Sequence, residues 1–184
     1  MIKFVLHGGF NKDEGYIKDG FFQEALKDTP EKVKLFLVFF AEFEDRLELR
    51  INQCKEQFNH NKGSKSLEFR MASKENFLEG CSWADVIFLS GGRTARLMES
   101  LGQFQSLEQV FAGKTVVGDS AGVNVLGCYS YSRKTDEVTK GLGILPFKIV
   151  VHYIEAMGNP LAGVEPDLET LFLHEYETVV KHYV

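Results

Sequence analysis

Gly118-Asp119-Ser120-Ala121-Gly122 is the run in this chain whose residue types and spacing can do chemistry. It follows a short apolar stretch, Thr115-Val116-Val117, and leads into the helix-compatible Val123-Asn124-Val125-Leu126. Between a strand and a helix, Gly-x-Ser-x-Gly lifts a serine hydroxyl onto the tip of a strained turn. A side chain at either glycine would collide with the neighbouring strand or helix. The helix start aims unpaired N–H groups, and the positive end of its dipole, at charge developing beside the serine. The chemistry expected is attack on a carbonyl by Ser120.

A serine at its own pKa is a poor nucleophile; it needs an adjacent base, which in turn needs an orienting acid. His7, His60, His152, His174 and His182 are the histidines. His60 falls in a polar helix end, and His174 and His182 in the charged C-terminal stretch, so all three read as surface groups. His152 ends the apolar run Phe147–Val151, which reads as a strand. A base at the C-terminal edge of a strand shares the edge where α/β sheets gather their sites. A half-buried structural histidine is the competing reading. Between Ser120 and His152 the carboxylates are Asp136 and Glu137. Asp136 is the expected third member, with Glu137 left open. Asp119 is set aside, because the side chain before a nucleophile on a tight turn usually points away from the catalytic face.

An oxyanion hole needs two converging N–H donors, each worth roughly a hundredfold or more in rate. Ala121, after the nucleophile, supplies one. The turn Ser90-Gly91-Gly92-Arg93-Thr94, whose paired glycines let the backbone approach a ligand closely, is the candidate for the other and, through Gly92 and Arg93, for the substrate wall; a plain strand-to-helix turn is the competing reading. His7-Gly8-Gly9 is a further candidate wall.

The elements that must position these groups are legible as apolar runs. Ile2–Leu6, Val33–Phe40, Val86–Leu89 and Thr115–Val117 are continuous, as in parallel strands covered on both faces, and Leu67–Met71 alternates more weakly. Phe43, Leu47, Ile51, Cys54 and Phe58 make one helical stripe ending at Asn59–Gly63. Thr94 to Leu101 reads as a helix, Asp167–Glu175 as a short one, and Tyr176–Val180 as the start of a final strand. Strands alternating with helices predict a three-layer α/β/α domain with a mostly parallel central sheet. Without a linker, repeat or low-complexity segment, residues 1–184 read as one domain.

Composition excludes several classes. The 184 residues are 44% hydrophobic and carry a net charge of −5, without a dense Lys/Arg run, which argues against nucleic acid as a partner. Leu35–Ala41, the longest apolar stretch, is far too short to span a bilayer, so no membrane partner is expected. The apolar start does not form a signal peptide, and Cys54, Cys81 and Cys128 lack metal-ligand spacing, so they read as reduced thiols in a cytoplasmic protein.

Taken together these residues resemble the dipeptidase E (aspartyl dipeptidase) and cyanophycinase family of serine peptidases. The likeness rests on Gly91-Gly92-Arg93-Thr94 before a helix containing Leu97, then Gly118–Gly122 with Val123-Asn124. It continues through a polar stretch carrying Asp136 and the run from Gly141 to His152-Tyr153. The resemblance implies a class I glutamine amidotransferase-like (flavodoxin-like) fold and hydrolysis of small peptides, including aspartyl ones. It makes Ser120 the nucleophile, His152 the base and Asp136 the third member, with Gly91 and Ala121 as oxyanion donors. It implies no metal and no organic cofactor. Ser90 and Arg93 depart from the family's usual residues; a cation at Arg93 can neutralise an acidic substrate group, block the pocket or face solvent. The chain stops at Val184, where family members continue, so the expected pocket is incomplete or completed by another subunit, as in a homodimer.

Two other readings compete. A lipase-like esterase would explain His7-Gly8-Gly9, but its acid and base need more chain than follows Ser120. A non-catalytic member of the same fold would bind a small molecule or a partner, since fold alone never implies activity.

Overall fold

Strands form where apolar runs can be covered on both faces, and five such runs lie parallel in one sheet. A computed structural model of the chain describes residues 1–11, 20–133 and 135–183. The five are β1 (Ile2–His7), β2 (Lys32–Val38), β3 (Ser66–Met71), β4 (Val86–Leu89) and β5 (Thr115–Asp119). A late strand, β10 (Thr178–Tyr183), pairs antiparallel with β1, giving the order β10-β1-β5-β4-β2-β3. β3 is at the edge, which explains its weaker alternating pattern: Leu67, Phe69 and Met71 pack inward while Glu68 and Arg70 do not.

Successive side chains of these strands enter opposite layers. Val5, Leu35, Leu37, Phe88 and Val117 pack with Phe21 and Phe22 of α1 (Phe21–Leu26) and with Cys54 and Phe58 of α2 (Glu44–Asn61). That layer is rich in edge-to-face aromatic pairs: Phe22–Phe58 at 5.0 Å and Phe58–Phe88 at 5.7 Å. Each such pair adds about 1 kcal/mol beyond its buried area. Leu6, Phe36, Ile87, Leu89 and Val116 face the other layer. It is built from α3 (Phe77–Trp83), α4 (Thr94–Leu101), α5 (Leu107–Val110) and the short α6 (Ala121–Asn124). The three-layer α/β/α expectation holds, and α4 has the expected bounds. Phe43 precedes α2 instead of joining its buried stripe and is exposed.

A second sheet was not expected. It comprises β6 (Tyr129–Ser132), β7 (Glu137–Lys140), β8 (Lys148–Val150) and β9 (Thr170–Phe172), in the order β7-β6-β8-β9. Leu145, Phe147, Ile149 and Val151 attach it to the α3–α6 side of the core. Two expectations are corrected here. Residues 170–172, read as part of a helix from the spacing of Leu168, Leu171 and Phe172, pair in parallel with β8. The run ending at His152 is a strand, but of this second sheet and not of the sheet that carries Ser120. Lys148 opens β8 almost wholly buried, and its ammonium donates to the carbonyls of Leu161, Val164 and Glu165 at 3.1, 2.7 and 3.1 Å. All three of its protons are thereby used, and the loop before β9 is tied to β8.

Candidate active site

Ser120 sits where β5 turns into α6, with φ 47° and ψ −100°. A non-glycine residue at positive φ is costly and persists only when its surroundings enforce it. They do so here through close packing. A Cβ on Gly118 would stand 2.9 Å from Gly122 C and Val123 N, and one on Gly122 would overlap the Leu89 carbonyl. The Ser120 N–H donates to His7 O at 3.0 Å, which ties the turn to the end of β1.

His152 reaches this turn from the second sheet. Just beyond β8 it too adopts positive φ, 50°, and its N–H donates to Gly8 O at 2.9 Å. Its Nε2 lies 3.0 Å from Ser120 Oγ. The ring occupies space that only glycine leaves open, since a Cβ on Gly9 would overlap it. A Cβ on Gly8 would overlap the His174 carbonyl, so His7-Gly8-Gly9 admits the second sheet's loops to the site.

The carboxylate on His152 is Glu175, whose Oε1 is 3.0 Å from Nδ1. His152 and Glu175 are each about one-third exposed, 30% and 35% by side chain. Asp136, the expected acid, lies elsewhere: exposed on the β6–β7 turn, it accepts a hydrogen bond from Tyr131 Oη at 2.8 Å. Glu137 begins β7 and is also exposed. The reason is pairing. The Leu173 N–H donates to Val150 O and the Tyr153 N–H to Leu173 O, both at 2.9 Å, so the chain beyond β9 runs alongside His152. Glu175 follows His152 in the chain, outside the interval searched for an acid. The sequence signal that could have found it is the carboxylate-bearing run His174-Glu175-Tyr176-Glu177 after a short apolar stretch.

Of the two expected oxyanion donors, Ala121 follows the serine as the first residue of α6. Gly91, two residues beyond β4, lies against the residue before the serine: a Cβ on it would stand 2.8 Å from Asp119 Oδ2 and 3.6 Å from Asp119 O. Among the described residues no backbone carbonyl accepts from the N–H of Gly91 or of Ala121. Gly92, at φ 135°, packs against Ala41, and Arg93 N donates to Ala41 O at 2.9 Å. The exposed Arg93 guanidinium lies 5.7 Å from the Phe43 ring centroid, and that of Arg96 4.8 Å. His60, His174 and His182 are exposed, as expected. Among the described residues no three His, Cys, Asp or Glu side chains gather to hold a metal ion, and no helix is long and apolar enough to cross a membrane.

Two further groups belong to the neighbourhood. His7, fully buried, lies with Nδ1 3.0 Å from Asp119 Oδ1. Asp119 turns that oxygen to His7, and its other oxygen stands 2.8 Å from where a Cβ on Gly91 would be.

Residues 4–176 match the model of peptidase family S51. Peptidase E of Shewanella amazonensis is 37% identical over 81 residues, 39% of this chain and 34% of that protein. Peptidase E of Shewanella denitrificans is 38% identical over 79 residues, 38% of this chain and 34% of that one. The chain thus aligns with about a third of the length of these curated relatives. The crystal structure of a peptidase from an acI-B1 Actinobacterium superposes with TM-score 0.69 at 20% identity, covering 98% of this chain and 83% of that one. A Listeria monocytogenes EGD-e protein does so with TM-score 0.63 at 17% identity, covering all of both chains. At these identities the structural likeness speaks to the fold.

Proposed function

The chain belongs to peptidase family S51, and we propose on that premise that it hydrolyses small peptides through an acyl-enzyme formed on Ser120. The observation that carries the proposal is the relay Ser120 Oγ–His152 Nε2–His152 Nδ1–Glu175 Oε1, with both links at 3.0 Å.

Glu175 accepts the Nδ1 proton and so leaves Nε2 with a lone pair facing Ser120. As Ser120 Oγ attacks the scissile carbonyl, its proton passes to His152 Nε2, and Glu175 stabilises the imidazolium that results. The carbonyl oxygen becomes an oxyanion between the N–H groups of Gly91 and Ala121. Collapse of this intermediate breaks the C–N bond while His152 returns the proton to the departing amine. Water then gives its proton to His152 and attacks the acyl ester. A second oxyanion forms in the same place, and its collapse releases the carboxylic acid and restores Ser120. Gly92 and Arg93 form the adjoining wall of the substrate cleft.

The test is intact-mass analysis after treatment with a fluorophosphonate. One adduct is expected on the parent protein and none on Ser120→Ala or His152→Ala. Absence of an adduct on folded parent protein would refute the proposal.

A further inference from the structure

Four strand ends around Ser120 turn polar groups toward the α1/α2 layer. Val5, Phe88 and Val117 belong to that layer's core, so His7, Ser90 and Asp119, each two residues further on, face the same way. Glu42 joins them from the turn after β2, whose backbone packs on Gly92 through Ala41.

This polar group is incompletely satisfied. Ser90 is only 3% exposed, and its hydroxyl has no hydrogen-bond partner among the described residues. Asp119 Oδ1 faces His7, whereas among the described residues no donor is bonded to Oδ2, the oxygen beside Gly91. Burial holds the Glu42 carboxyl above its ordinary range, against the pull of Arg50 and Arg46 and with a further push from the Asp119 and Asp45 charges. Arg50 donates to Gln53 and Arg46 lies beside Asp45; among the described residues neither forms an ion pair with Glu42. An unpaired buried hydroxyl, a carboxylate oxygen of Asp119 without a donor and a half-buried Glu42 carboxyl without an ion pair are destabilising unless a partner arrives.

We propose that Asp119, Glu42 and Ser90 form a subsite for a cationic nitrogen of the substrate, with the two carboxylates as its counter-charges and the serine hydroxyl as a third acceptor. The inference deepens the peptidase reading and rests on it for where the scissile carbonyl lies. It also bears on the reaction. A carboxylate beside the Gly91 donor opposes the negative charge that develops on the carbonyl oxygen. A substrate cation against Asp119 cancels that opposition, so recognition and acyl transfer are coupled. Arg93 does not compete for the place, because its guanidinium lies over Phe43.

An ammonium can come from a free peptide N-terminus or from a basic side chain, and two matched peptide pairs separate these sources. One pair has a free against an acetylated N-terminus; the other, acetylated in both members, has lysine against norleucine. Each is titrated calorimetrically into Ser120→Ala protein, which binds without cleaving. In one pair the cationic member should bind on the order of tenfold to a hundredfold more tightly, the worth of hydrogen bonds to a charged group. Adding Glu42→Gln or Asp119→Asn should remove most of that preference. A preference in the first pair assigns the site to the N-terminal ammonium, and in the second to a basic side chain. Equal affinity within both pairs, absence of binding included, overturns the proposal, as does a preference that survives both substitutions. Because this protein cannot form an acyl-enzyme, these results are independent of the fluorophosphonate reaction that decides the hydrolase reading.

Discussion

The two sheets contribute to one site by different physics. The C-terminal edge of the main sheet presents Ser120, Gly91 and Ala121 from strands buried on both faces, and the turn geometry is enforced by close backbone packing at Gly118 and Gly122. The second sheet presents His152 and Glu175 from three-residue strands, held by a few specific hydrogen bonds and by the buried Lys148 ammonium. Ser120 so placed is rigid by packing, whereas His152 is only as well placed as the small sheet that carries it. Gly8 and Gly9 are where the two meet, since a side chain at either would keep the second sheet's loops out.

The largest effect that tests this contrast comes from the acid. With Glu175→Gln the amide cannot hold His152 in the required tautomer, and kcat should fall by roughly a thousandfold to ten-thousandfold. Asp136→Asn, on the exposed turn of the same small sheet, should change it by less than about twofold, as for a surface substitution. Steady-state kinetics on one peptide substrate suffices. The reverse ranking would mean that the small sheet delivers a different acid.

The same contrast decides what was legible in the sequence. The Ser120 turn, the Gly91-Gly92 turn and α4 are local patterns: apolar run, glycines, then a helical stripe, each within about ten residues. The second sheet has no such pattern. In β6 only Ser130 is buried, and in β7 nothing is. β9 is three half-buried residues whose apolar spacing imitates a helix turn. Its partner strand lies some twenty residues back, so the pairing is a tertiary fact. Glu175 was invisible for that reason: a helix over Asp167–Glu175 would never have laid it beside His152. His152 stood out by its apolar run, although the run belongs to the other sheet. The mate of Asp119 was equally hidden, because the turn argument said only where that side chain would not point.

Lys148 offers a smaller but sharper break. Lys148→Met keeps most of the volume and leaves the Leu161, Val164 and Glu165 carbonyls without their donor, at a cost of about 3 kcal/mol. Hydrogen exchange should quicken in residues 148–152 and 161–175 while β1 and β5 keep their protection. Uniform loss across both sheets would show that they unfold as one unit and that the contrast in rigidity is wrong.

Thiol chemistry probes the contrast more gently. Burial pushes the Cys54 thiol well above its ordinary range, and it pushes Cys81 up to about 12; both lie in the main sheet's layers. Cys128, at the entry to β6, is only partly buried. A disulfide reagent should therefore titrate one thiol in native protein and three after denaturation. Rapid reaction of more than one in the native state would place an opening in the main layers.

The smallest effect concerns Glu42, at the main sheet's edge. Its folded pKa is raised by burial above the ordinary 4.5, so the folded protein binds that proton more tightly than the unfolded chain does. The stabilisation this gives is complete below the ordinary value and disappears as pH rises through the folded one. At neutral pH, above the ordinary value, the half-buried carboxyl is thus a liability, and Glu42→Gln, which carries no charge, should melt slightly higher than the parent. Below pH 4.5 the parent is protonated as well, and the advantage should vanish. Thermal melts at the two pH values decide it. A variant that gains at neutral pH yet loses its preference for cationic peptides would show the rigid edge giving up stability for recognition, as functional sites commonly do. A variant that melts lower at neutral pH would mean that Arg50 and Arg46 already satisfy this carboxylate, and the main edge would then hold no unmatched charge at Glu42.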